Sequence, residues 1–90
     1  MLNIHNVGKL QVKWSYAPSG LYYDQLSSPV VADGVVYLGA TNDNVYALKA
    51  ETGAVLWSYT TGNFVESLPA VANGVVYVGS NDDNLYALKE

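Results

Sequence analysis

Apolar residues in this chain fall in short runs separated by small polar clusters. Four runs follow one another: Pro29–Ala32 (PVVA), Val35–Ala40 (VVYLGA), Asn44–Ala50 (NVYALKA) and Ala54–Thr61 (AVLWSYTT). Between them stand Asp33-Gly34, the cluster TNDN and Thr52-Gly53. These are turn chemistries, because Gly takes positive φ without steric cost and Asn tolerates the left-handed conformation. Short runs rich in Val and Tyr read as strands. The pattern predicts a four-stranded antiparallel meander, with Asn44, and Asn84 in the later copy of the pattern, in the left-handed turn position. VVYLG and VVYVG are apolar on both sides, which a strand covered on one face alone would not be. Each meander is therefore expected between two other sheets, with Gly39 and Gly79 marking close approach of a neighbour.

The pattern repeats. Pro29–Lys49 aligned without gaps on Pro69–Lys89 matches at 14 of 21 positions, in the frame P-x-V-A-x-G-V-V-Y-x-G-x-x-x-D-N-x-Y-A-L-K. Trp14 and Trp57 lie 43 residues apart, because the first copy has three extra residues between Tyr16 and Pro29. A period near 40 residues means one supersecondary unit per repeat. Four-stranded sheets covered on both faces and stacked radially make a β-propeller. Residues 1–90 then divide into an outer strand over 9–17, a first repeat over 28–61, and a second over 67–89 that lacks an outer strand of its own.

Composition narrows the function classes. Half of the 90 residues are apolar and 13% are charged, which is not a disordered composition. Eight acidic and four basic residues give a net charge of −4, the wrong sign for a nucleic-acid partner. The absence of cysteine removes disulfides, thiolate metal sites and thiol nucleophiles. The opening MLNIHNVGKLQVKW has no charged start followed by a long apolar core and does not read as a signal peptide. No apolar run approaches membrane-spanning length.

The stretch Ala47-Leu-Lys-Ala-Glu-Thr52-Gly53-Ala-Val-Leu-Trp57 resembles the tryptophan-docking motif, A-x-D-x-x-T-G-x-x-x-W, of the pyrroloquinoline-quinone-like repeat, the blade unit of eight-bladed quinoprotein-type propellers. Lys49 stands where that family usually has Asp. The opening NVGKLQVKWSY (6–16) is similar to the strand that begins such propellers, with Trp14 in the docking position. The resemblance implies that each Trp stacks between neighbouring blades and that the Thr-Gly turn receives it. It also implies exported or periplasmic relatives, some of them dehydrogenases that hold a quinone and Ca²⁺ with a Cys pair, carboxylates and a catalytic Asp. None of that site chemistry can be carried onto this chain, so no cofactor, metal or catalytic residue is assigned.

Other candidates read as structural. His5 is an ordinary terminal residue, TNDN and NDDN are hairpin turns rather than a Ca²⁺ loop, and Tyr37, Tyr46, Tyr77 and Tyr86 are packing residues. The longer connection 17–28 and its counterpart 61–68 are the better place for binding. Tyr22, Tyr23 and Asp24 with Phe64 and Glu66 are expected to form an aromatic and acidic rim at the channel mouth, suited to cations or a basic protein or peptide. Two blades alone would leave apolar faces and an open edge exposed, and head-to-tail self-association removes both. Four copies would give eight blades and about 39 kDa, four times 9.7 kDa; three copies, giving six, is the rival. The functional expectation is a non-enzymatic scaffold or interaction module. The alternatives are a fragment of a quinone-dependent dehydrogenase and an engineered or evolutionary half-product.

Overall fold

The computed structural model describes residues 11–21 and 25–89. Seven strands occur there: β1 (Val30–Ala32), β2 (Val35–Gly39), β3 (Asn44–Lys49), β4 (Val55–Thr60), β5 (Ala70–Ala72), β6 (Val75–Gly79) and β7 (Leu85–Lys89). They pair as two antiparallel meanders, β1-β2-β3-β4 and β5-β6-β7, and the described residues hold no helix. The chain is all-β, built of propeller blades. Residues 11–17, the described part of the strand expected over 9–17, join no ladder. Trp14 and Tyr16 instead pack onto a cluster of Leu38, Tyr46 and Leu48 on one face of the first sheet. A segment lying over a face, not beside an edge, has no row of backbone groups with which to pair.

The turns follow from local chemistry. Asp33 (φ 51) and Gly34 (φ 77), like Asn73 (φ 52) and Gly74 (φ 75), are both left-handed. That makes the two-residue hairpin turn whose twist matches its flanking strands. In the β2–β3 and β6–β7 turns the left-handed residues are Asp43 (φ 73) and Asp83 (φ 70), one position before the expected Asn44 and Asn84. The cause is the preceding side chain. Asn42 Oδ1 accepts the Asn44 N–H at 3.2 Å, and Asp82 Oδ1 accepts the Asn84 N–H at 3.0 Å. Each side chain bonds to the backbone two residues on, so the bend falls on the residue between them.

The two blades stack face to face. Tyr37 and Ala47 of the first meet Val76 of the second, and Val45 meets Val78 around Val65 of the connecting segment. Trp57, on β4, borders both clusters and lies 6.1 Å from Tyr37, ring centre to ring centre. Tyr37, Val45 and Ala47 are completely shielded from solvent by this arrangement. Their repeat counterparts are not: Tyr77 is 39% exposed, Leu85 75% exposed, and Ala87 lies open. The first blade is therefore covered on one face by its neighbour and over part of the other by Trp14 and Tyr16, and the second on one face only.

Gly39 marks a close approach, though by the connection and not by a sheet. A Cβ there would overlap Val65 Cγ1 and stand 2.7 Å from the Val65 carbonyl oxygen. At Gly79 the nearest atom is Ser67 Oγ at 3.5 Å, an ordinary contact. Gly39→Ala is accordingly expected to destabilise the fold by about 1–3 kcal/mol, as overpacking does. Gly79→Ala should stay within about 0.5 kcal/mol of the parent. Denaturant unfolding of the two variants side by side measures the contrast.

Candidate functional site

Two sets of side chains organise this molecule beyond its ladders. The first gathers around Trp14. The Lys49 carbonyl accepts the N–H groups of Thr52 (3.3 Å) and Gly53 (2.7 Å), and Thr52 Oγ1 accepts the Ala54 N–H at 3.3 Å. Gly53 is left-handed, φ 76. The tight turn that results leaves a flat backbone platform, and the Trp14 ring lies on it. A Cβ on Gly53 would come 2.6 Å from Trp14 Cε3, so no other residue fits beneath the indole. Trp14 Nε1 donates to the Ala50 carbonyl at 2.8 Å, which gives the half-buried ring its polar partner.

The five residues expected to dock blades thus fall into two groups. Trp14 sits with Thr52 and Gly53. Ala47 is instead the cross-strand partner of Trp57, on the face turned to the second blade. The counterpart of the Ala50 carbonyl for Trp57 falls at Glu90, outside the described residues.

The second set is a polar seam where the turns after β2 and β6 meet the connection between the blades. Thr61, buried, has its Oγ1 within 2.7 Å of the Asn63 carbonyl, 3.0 Å of the Asp43 carbonyl and 3.0 Å of Ser80 Oγ. Asp82 Oδ2 accepts the Gly62 N–H (2.9 Å) and the Tyr86 hydroxyl. Its repeat counterpart, Asn42, donates through Nδ2 to the Ser19 carbonyl (2.9 Å) and the Tyr46 hydroxyl (2.6 Å). One position therefore ties each turn to the preceding connection, as an amide in the first blade and as a carboxylate in the second. Ser27 and Ser67 act alike in the two repeats: Gly39 N donates to Ser27 Oγ (2.8 Å) and Gly79 N to Ser67 Oγ (2.9 Å). Sequence reading missed Thr61 and both serines. The signal for the serines was present, since each stands two residues before the repeat's opening Pro.

Of the expected rim, Tyr22, Tyr23 and Asp24 lie outside the described residues. Phe64 and Glu66 both lie beside the β6–β7 turn. The Phe64 carbonyl accepts the Asn81 N–H at 2.8 Å, and Glu66 Oε1 accepts Asn81 Nδ2 at 2.8 Å. Glu66 also borders an open polar recess of about 290 Å³, lined by Gln25, Leu26, Ser27, Ser28, Thr41 and Val65.

The Ca²⁺ implied by the resemblance finds no fitting donor set among the described residues. Among the described residues no three of His, Cys, Asp and Glu converge. Both Asp82 oxygens are committed to the seam and Glu66 to Asn81.

The Asp82–Tyr86 pair makes the seam sensitive to pH. The Tyr86 hydroxyl, helped by the Gly62 and Asn84 N–H groups, holds the Asp82 carboxyl below its ordinary 3.8. Asp82 in turn pushes the Tyr86 phenol above 10.0. A depressed carboxyl contributes stability above pH 3.8 that is lost as pH falls through its folded value. A raised phenol contributes stability below pH 10.0 that is lost as pH rises through its folded value. Asp82→Asn, which copies the first repeat, should remove the acid-side loss and return Tyr86 toward 10. Unfolding against pH, with tyrosinate absorbance for the phenol, reads both.

Comparison with known proteins agrees with this geometry. A family model described as "Outer membrane protein assembly factor BamB" matches residues 11–90. The quinoprotein alcohol dehydrogenase PedH of Pseudomonas putida KT2440 is 37% identical over 60 residues, which is 66% of this chain and 10% of that protein. A quinoprotein ethanol dehydrogenase of Pseudomonas aeruginosa is 41% identical over 59 residues, again 10% of its length. This chain thus spans about a tenth of these relatives. The crystal structure of the computationally designed Ika8 protein matches with a TM-score of 0.64 at 15% identity, over 72% of this chain and 20% of that one, a likeness of fold alone. With its repeated blades and a family match over nearly all its length, the chain belongs to the pyrroloquinoline-quinone-like repeat family of outer membrane protein assembly factor BamB.

Proposed function

We propose that this chain works as a ring-building pair of propeller blades, a scaffold whose polar seam and connections present a binding surface. The observation that carries the reading is the contrast between matched positions. Tyr37, Val45 and Ala47 are shielded by a neighbouring blade, whereas Tyr77, Leu85 and Ala87 lie open. Fully burying a side chain such as Leu85 is worth about 1.5–3 kcal/mol, so a free blade face of this kind favours a further blade strongly. Turn and connection acids, Asp43, Asp82, Asp83 and Glu66, gather along one seam, which suits a basic protein or peptide.

A second reading is favoured by the relatives: these blades belong to a quinoprotein dehydrogenase propeller. The donor set argues against it for this chain by itself. Adding pyrroloquinoline quinone with Ca²⁺ and following quinone absorbance through a sizing column separates the two. The scaffold reading expects all the quinone in the small-molecule fraction; quinone eluting with the protein in stoichiometric amount overturns it. For the acidic rim, a lysine-rich peptide should bind several-fold more weakly to an Asp24→Asn/Glu66→Gln double variant than to the parent. Equal binding removes the rim as the site.

A further inference from the structure

The open surfaces at the two ends of this molecule are the two halves of one interface already seen inside it. Between the blades, Tyr37 and Ala47 meet Val71, Val76 and Leu88. The counterparts of the first half are Tyr77 and Ala87, on the bare face of the second blade. The counterparts of the second half are Val31, Val36 and Leu48, on the opposite face of the first blade, where Val31 is 64% exposed. There an apolar groove of about 190 Å³ opens between Trp14, Tyr16, Val36, Leu38 and Leu48. Each chain thus carries both members of a head-to-tail contact.

The backbone tells the same story. β7 has β6 on one side and no described strand on the other. A recess of about 240 Å³ runs along that free edge, bounded by Trp57, Tyr59, Ala87 and Leu88. Residues 11–17 are extended chain without a sheet, already seated over the first blade as β4 and its Trp57 are seated over the second. Their sequence, VKWSY, copies VLWSY of β4.

We infer that residues 11–17 of one copy pair with β7 of a second copy as its fourth strand, so that Trp14 is held between the two chains. The register is fixed by the first blade, where Asn44, Val45, Tyr46 and Ala47 stand opposite Thr60, Tyr59, Ser58 and Trp57. Transferred to the contact between copies, Ala17 faces Asn84, Tyr16 faces Leu85, Ser15 faces Tyr86 and Trp14 faces Ala87. A second copy is favoured over an unrelated partner because the bare face, its complement, the free edge of β7 and the unpaired segment 11–17 all occur among the described residues, with matching register. The inference rests on the blade reading above and names what completes the blades.

The test uses the full chain with two exposed positions changed, Ala17→Cys and Asn84→Cys. At the equivalent pair in the first blade, Thr60 Oγ1 donates to Asn44 Oδ1 at 2.6 Å, so the side chains meet across the strands. The parent has no cysteine to confuse the result. Mild oxidation is expected to give a disulfide-linked ladder on non-reducing gels that collapses on reduction, with each single-cysteine variant stopping at dimer. Light scattering on the parent is expected to give a multiple of 9.7 kDa. Trp14→Ala should shift that mass toward the single chain while Asp33→Asn, which copies Asn73 in the turn of the second repeat, leaves it unchanged. An assembled parent whose double variant forms no ladder overturns the strand exchange and leaves the blade reading standing. A monomeric parent that binds a hydrophobic dye, with binding lost in Tyr77→Asp, also overturns the exchange alone. A monomer with no dye-binding face overturns both.

Discussion

The contact on which this structure depends is the stacking of one blade on the next, with Tyr37 and Ala47 against Val76 and Trp57 alongside. A three- or four-stranded meander of short strands cannot hide its apolar residues within its own thickness. Hydrophobic burial, the main favourable term in folding, must therefore come from a neighbour. Other features hold the sheets that make it. The left-handed turn pairs at Asp33-Gly34 and Asn73-Gly74 keep the hairpins tight, the Thr52-Gly53 platform receives a tryptophan, and Gly39 lets Val65 press onto the first sheet.

Much of this was legible in the sequence because the same solution is written twice. Repetition of P-x-V-A-x-G-V-V-Y located the hairpins, and the absence of alternation in VVYLG announced a strand covered on both sides. Two kinds of feature were harder to read. The left-handed turn residue was displaced to Asp43 and Asp83, because the side chains of Asn42 and Asp82, not the propensity of Asn44 and Asn84, choose where the chain bends. Ser27, Ser67 and Thr61 act through hydrogen bonds between distant segments, and no local pattern encodes the segment that will lie alongside. Residues 11–17 read as a strand, and among the described residues of this chain they meet no second backbone, which pattern alone does not supply.

The two repeats have also diverged where their surroundings differ. Asn42 faces a carbonyl of the preceding connection and must donate; Asp82 faces the Gly62 N–H and must accept. A change from amide to carboxylate at one position thus converts a neutral tie into a charged one, with Tyr86 as its partner where Tyr46 serves in the first blade. Both turns keep the same left-handed bend at Asp43 and Asp83, while the ionisation behaviour of the two seams differs.

The dimensions of the blade contact have a further consequence. β1 and β5, which approach each other, carry only Val and Ala, whereas β4 places the bulk of Trp57 between the blades at the far side of the sheet. Small residues at one margin and an indole at the other taper the contact, so further blades stacked with the same taper would splay like staves and trace an arc. The curvature of any ring built from these blades resides in that taper, and the volume of a few side chains, more than the length of the polypeptide, sets how many blades complete the circle.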